Sequence, residues 1–230
     1  MDDVSGTLAL VGGAEFGPEC SFDAGLFPPG SEVVLLPTAQ AYERPAAALA
    51  AATAHLEPLG ITVRALPVYT RGDASDERLA DEVRSAGSLY VVGGSPMHLR
   101  AVLKGTVLLD ALVDSWRRGA TVAVAAEAAA VMCSHMVDSR GGAFTVGLGL
   151  VTSMTVIPRF NQWSPDKLHR TIRLAPPDLL VVGIDESTAL TRGGDGTWTV
   201  QGTGGVHVFE GARTVGVERL PHALNPDAGL

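Results

Sequence analysis

Five short runs in the first half of the chain are almost wholly apolar: Leu8–Val11, residues 32–39, residues 61–68, residues 88–92 and Thr121–Ala125. Strands buried on both faces read as continuous runs of this kind rather than as alternating ones. The stretches between them have helical character. Residues 44–59 are alanine-rich, with Pro45 suited to a first turn and Gly60 to a stop. Residues 73–86 open on Asp and Ser caps, set Leu79 and Val83 four apart and end at Gly87. Pro96–Leu103 and residues 106–118 follow, and the second closes on Arg117 and Arg118, which suit the negative end of a helix dipole, before Gly119. Residues 14–29 read as an irregular connection with one helical turn around residues 21–26. The βαβαβαβ alternation predicts an α/β fold, with a mostly parallel central sheet flanked by helices on both faces.

A helix expected over residues 128–137 closes that regime. Glycine-rich turns then separate short apolar runs at residues 144–152, 155–157, 179–185, 189–191, 197–201, 206–209 and 214–217. They predict a β-rich C-terminal part of strands and hairpins, with GGDG at residues 193–196 as a tight hairpin loop. One helix, over residues 164–174, interrupts them, with Ser164 as cap and Pro165 as first helical residue. No internal repeat or linker divides the 230 residues, so a single domain over residues 1–230 is expected.

Composition narrows the function classes. A net charge of −8 and a pI near 5.2 argue against a nucleic-acid or anionic-membrane surface, which needs clustered Lys and Arg. Cys20 and Cys133 stand far apart outside any C-x-x-C pattern, and the six histidines form no i, i+4 pair, so neither a disulfide framework nor a metal site is expected. Gly12 to Gly17 reads G-G-x-x-x-G, a poor match to the dinucleotide fingerprint that turn formation explains, and no cofactor is expected. No run reaches the ~18 apolar residues of a membrane span, and the opening MDDVSG is acidic where a signal peptide is basic. The expected compartment is the cytoplasm.

Candidate chemistry follows from the predicted sheet, because ligands of open parallel sheets bind beyond the carboxyl ends of the strands. That rule nominates Gly12 and Gly13, residues 38–42, Gly93, Gly94, Ser95 and Pro96, and Ala126 with Glu127. The junction at residues 121–133 has the strand-to-helix form of a nucleophile elbow, in which G-x-S-x-G lifts a serine into a cleft. Here the five places read Val124, Ala125, Ala126, Glu127 and Ala128, without the hydroxyl or either glycine. Glu127 is either a first-turn carboxylate favouring the helix dipole or a carboxylate in the cleft, where its sign is wrong for stabilising an oxyanion. Cys133 lies ~9 Å along the expected helix, too far to replace an elbow nucleophile, and reads as a packed thiol. Ser95 lacks an identifiable base and reads as a helix cap.

Between Tyr90 and Phe209 the order YVVGGSPMHLRAVLKGTVLLDAL, RRGATVAVAAEAAAVM, DSRGGAFTVGLGLV, VIPRFNQWSPDKLHRT, VVGIDESTAL and GGVHVF resembles the cyanophycinase and dipeptidase E family of serine peptidases, which has a class I glutamine-amidotransferase-like fold. GGAEF and LLPTA extend the resemblance weakly toward the N-terminus. The family elbow, approximately G-T/S-S-A-G-A, falls on residues 124–129 and puts the nucleophile position at Ala126. The family histidine falls on Arg159, the acid of GIDE is kept as Glu186, and the Gly93 and Gly94 turn is similar to the oxyanion-side loop. Without a hydroxyl there is no acyl-enzyme, and an arginine with pKa above ~12 is no general base.

The resemblance therefore implies a pseudopeptidase whose cleft takes a polar small molecule, a peptide or a protein partner, with a homodimer also admissible. Arg159 is expected to pair with Glu127, Glu186 or both, since an unpaired buried charge costs several kcal/mol. A rival reading is an enzyme with a rebuilt cleft, using Glu127 as acid/base and Arg159 to hold a carboxylate. Two others are a scaffold acting through its surface and a residual serine hydrolase with its elbow elsewhere.

Overall fold

The computed structural model describes residues 5–224 and 226. Its strands are β1 (Leu8–Val11), β2 (Glu32–Leu36), β3 (Thr62–Ala65), β4 (Ser88–Val91), β5 (Thr121–Ala125), β6 (His135–Val137), β7 (Phe144–Val146), β8 (Met154–Pro158), β9 (Leu180–Ile184), β10 (Thr188–Arg192), β11 (Trp198–Gly202), β12 (Val206–Glu210) and β13 (Arg213–Val215). The helices are α1 (Asp23–Leu26), α2 (Pro45–Leu56), α3 (Arg71–Ala74), α4 (Glu77–Ser85), α5 (Pro96–Leu103), α6 (Val107–Arg117), α7 (Glu127–Met132) and α8 (Pro165–Leu174).

The central sheet has seven strands in the order β11-β10-β1-β5-β4-β2-β3. β3, β2, β4, β5 and β1 run parallel, and the β10–β11 hairpin adds an antiparallel edge. This mostly parallel α/β architecture is the one the apolar runs predict. Alternate residues of each run serve different faces. Leu8, Leu10, Leu89, Val91, Val122 and Val124 join a core with α4, α5, α6 and α7. Ala9, Val11, Tyr90, Ala123 and Ala125 join a second core with α1 and α2. Full burial of such Leu and Val side chains is worth roughly 1.5–3 kcal/mol each, which favours the apolar middles of β1, β4 and β5, while the edge strand β3 carries Arg64.

The second sheet, β13-β12-β9-β8, packs into the first of those cores. Its β9–β12–β13 part is antiparallel, as hairpin-rich sequence suggests, but β8 and β9 are parallel because α8 carries the chain back between them.

Several boundaries differ from the sequence reading. The helix expected over residues 128–137 stops at Met132, and residues 135–137 form a strand. The backbone of residues 147–151 captures the carbonyls at that exit: Leu148 N–H donates to Val131, Gly147 to Ser134 and Val151 to Met132. The approach needs glycine at 147, where a Cβ would collide with the Cys133 carbonyl. It also shortens the strand expected at residues 144–152 to β7. The single helix expected over residues 73–86 is two, because Thr70 and Asp73 form a capping box for α3 and Asp76 caps α4. Among the described residues no helix is long and apolar enough to cross a membrane.

Candidate functional site

β5 ends at Ala125, α7 begins at Glu127, and Ala126 makes the turn between them with φ 49° and ψ −129°. That is a sparsely populated conformation for a residue with a Cβ, and its cost is of order 1–3 kcal/mol. It is held from outside. Ala126 N–H donates to the Val11 carbonyl at 2.8 Å. A Cβ on Gly93 would lie 2.7 Å from the Ala126 methyl and 2.9 Å from Glu15 Oε1, so the two turns fit only with glycine at 93. Gly94, at φ 148°, backs onto the Ala39 carbonyl. Gln40 donates to the Gly93 carbonyl at 2.7 Å and Ser95 N–H to Ala39 at 2.9 Å, which ties this loop to the turn after β2. Ser95 does occupy the cap position of α5, but its hydroxyl makes no capping hydrogen bond.

Arg159 follows β8 in a left-handed conformation, φ 49° and ψ 44°, with its N–H on the Gly12 carbonyl at 2.7 Å. Its guanidinium reaches two carboxylates. Nη1 lies 3.1 Å from Glu127 Oε1, and Nε lies 3.9 Å from Glu186 Oε1. Gln162 Nε2 donates to the other Glu186 oxygen at 2.9 Å, and Asn161 Oδ1 accepts from Glu186 N–H at 3.1 Å. The Arg159 side chain is 44% exposed and those of Glu127 and Glu186 are 21% and 30% exposed, so the ladder sits at a mouth rather than in the core. Glu127 therefore points to the cleft. Beside the ladder lies a cavity of about 270 Å³ whose walls include Glu127, Arg159, Trp163 and Lys167.

The structure thus brings Ala126, Glu127, Arg159 and Glu186 to one region, with Gly93 against Ala126. Sequence reasoning missed Glu15, whose carboxylate accepts from Gly93 N–H at 3.1 Å. The signal was present, because Glu15 follows the turn at the end of β1 that the sheet rule nominates. Gln162, Trp163 and Lys167 were also missed; they come from the segment entering α8, which reads as a solvated helix start.

Other titratable groups stand apart from this ladder. Cys133 caps the C-terminal end of α7, fully buried, and desolvation pushes its thiol up to about 12. Cys20, also buried, is pushed up to about 11, chiefly by burial. His135 lies on a strand rather than the expected helix. His55 contacts the fully buried Asp23 at 3.0 Å. Burial, then the charge of Glu15, raises Asp23 to about 7, while burial lowers His55. Both directions favour the uncharged forms, so burial works against an ion pair here. Among the described residues no group of three or more His, Cys, Asp or Glu is arranged to hold a metal ion.

Residues 26–200 match the model of peptidase family S51. The chain belongs to that family. It is 27% identical over 179 residues to the cyanophycinase of Trichormus variabilis, covering 73% of this chain and 57% of that protein. Against the cyanophycinase of Synechococcus elongatus it is 29% identical over 157 residues, covering 63% of this chain and 48% of the relative. The chain thus spans about half the length of the curated relatives it matches. The crystal structure of a peptidase from an acI-B1 actinobacterium superposes with a TM-score of 0.82 at 29% identity, covering 94% of this chain and 95% of the other. A putative peptidase E protein from Listeria monocytogenes shares the fold, with a TM-score of 0.66 at 18% identity over 87% of this chain and all of the other.

Proposed function

We propose that this S51-family protein performs no serine hydrolysis and acts by binding a small polar molecule or peptide in the former peptidase cleft. The observation that carries this reading is Ala126, which holds an elbow-like strained turn while presenting only a methyl group. No atom there can form an acyl bond. Arg159, at the position the family resemblance gives to histidine, is engaged by Glu127 at 3.1 Å, and a guanidinium is not a general base. Glu127 also brings negative charge to the place where an oxyanion would need donors. The peptidases and cyanophycinases it resembles supply the test substrates, not the activity.

The reading is tested by thermal unfolding in the presence of a panel of dipeptides and small metabolites. A ligand of this cleft raises the melting temperature of the wild type, and Arg159→Ala abolishes that rise. No stabilisation by any compound would favour a scaffold acting through its surface. The cavity's access to both Glu127 and Arg159 gives one opening to the rebuilt-enzyme reading. A turnover rate unaffected by Glu127→Gln would remove it.

A further inference from the structure

We infer that the cavity beside the charge ladder is a carboxylate site, with Lys167 as the anion anchor and the Trp163 ring and nearby apolar wall taking an aromatic or aliphatic body. This rests on the cleft-binding reading above and names the class of ligand.

The Arg159 guanidinium is taken up by two carboxylates, Glu127 at 3.1 Å and Glu186 at 3.9 Å. Lys167 is the remaining charged group of the lining, and no carboxylate of the described residues lies within salt-bridge distance of it. Its Nζ rests 3.5 Å from the centroid of the Trp163 ring. The facing charges do not satisfy it. Asp138, the acid that acts on it, is occupied by Arg140, with hydrogen bonds of 3.0 Å to each carboxylate oxygen, and is held down at about 2, chiefly by that contact. Arg170 adds like charge. A partly desolvated ammonium held on a ring face is a donor with unused capacity, and a carboxylate is the partner that uses it best.

The position is also built. The Lys167 stem lies against Gly141, where a Cβ would come within 2.6 Å of Lys167 Cγ, so the hairpin after β6 and the Trp163 ring fix the ammonium from two sides. Pro96, Ala130, Val137 and Pro158 supply apolar wall. A volume of about 270 Å³ suits a body of roughly ten heavy atoms, at the small end of ligand pockets. The lining itself carries Glu127, Arg159 and Lys167, and Glu186 shares the Arg159 guanidinium from outside it, so the positive charge at this site is concentrated on Lys167 rather than spread over the wall.

The test uses three probes of one shape on the purified full chain: 3-phenylpropionate, 3-phenylpropionamide and 3-phenylpropylamine, followed by titration calorimetry. The carboxylate should bind at least about tenfold more tightly than the amide, a difference of about 1.4 kcal/mol, and the amine should bind most weakly. Lys167→Met should remove the preference for the carboxylate over the amide. Because the amide comparison is made on the wild type, the test stands even if that variant folds poorly. Equal binding of carboxylate and amide, or an unchanged preference in Lys167→Met, overturns the assignment of Lys167 while leaving cleft binding intact. No binding of any probe at millimolar concentration overturns the proposed ligand class, and the dipeptide and metabolite screen then decides separately whether the cleft binds at all.

Discussion

Two turns flank the cleft, and each holds a residue other than glycine at φ 49°. At Ala126 the backbone is strained and the side chain is a fully buried methyl set against the Gly93 turn. At Arg159 the backbone is the milder left-handed form, and the side chain spans two carboxylates. The difference separates scaffold from chemistry. An elbow's geometry is set by its neighbours, here the Val11 carbonyl and the missing Cβ of Gly93, so it persists whatever residue occupies the turn. The electrostatics of a cleft are set by the side chains that enter it, and one arginine reorganises them.

The largest test of the scaffold half is Gly93→Ala. Its new methyl would have to share space with the Ala126 methyl and Glu15 Oε1, and a loss of about 3 kcal/mol is expected in denaturant unfolding. A loss under ~1 kcal/mol would mean that the turns are not locked together.

Next comes Asp23 at the start of α1, a carboxylate that meets an imidazole where Glu127 meets a guanidinium. Its folded pKa of about 7 lies above the ~3.9 of an unfolded aspartate, so between those values the folded state binds more protons. Asp23 therefore contributes stability at acid pH that is lost as pH rises toward 7, roughly 3 kcal/mol between pH 4.5 and 7. His55 runs the other way, because its lowered pKa costs stability as pH falls below ~6.5. The difference between wild type and Asp23→Asn isolates the first effect: the wild type should lose stability relative to the variant between pH 4.5 and 7.5. A parallel pair of curves contradicts it.

Arg159→Ala should cost about 1 kcal/mol or less, since the ladder is partly exposed and screened by salt. A loss above ~3 kcal/mol would make the ladder a structural core element instead. The smallest effect compares neighbours. Ala125→Gly should cost about 1 kcal/mol in the buried strand, whereas Ala126→Gly recovers strain and should cost about 1 kcal/mol less. Equal losses in thermal unfolding would show that the turn at 126 is not strained.

The parallel strands were legible because continuous apolar runs bounded by glycine leave few alternatives. The end of α7 was not, since it depends on residues 147–151 reaching back across space to carbonyls that the local sequence would spend on another helical turn. Within the site, Ala126, Arg159 and Glu186 came from motif order and Glu127 from its place after β5. Lys167 escaped notice because Ser-Pro-Asp-Lys at a helix start reads as a solvated face, and only the Trp163 ring and Gly141, brought in by folding, give its ammonium a fixed place.

The central claim, that no serine hydrolysis occurs in this cleft, is tested most directly by incubating the purified protein with aspartyl dipeptides and β-Asp-Arg peptides, alongside a fluorophosphonate probe read by intact-mass spectrometry. The account predicts no turnover and no added mass on the wild type, with the Ala126→Ser, Arg159→His double variant as the comparison for a restored nucleophile. Turnover by the wild type together with a labelled residue would contradict it and would mark the nucleophile's true position.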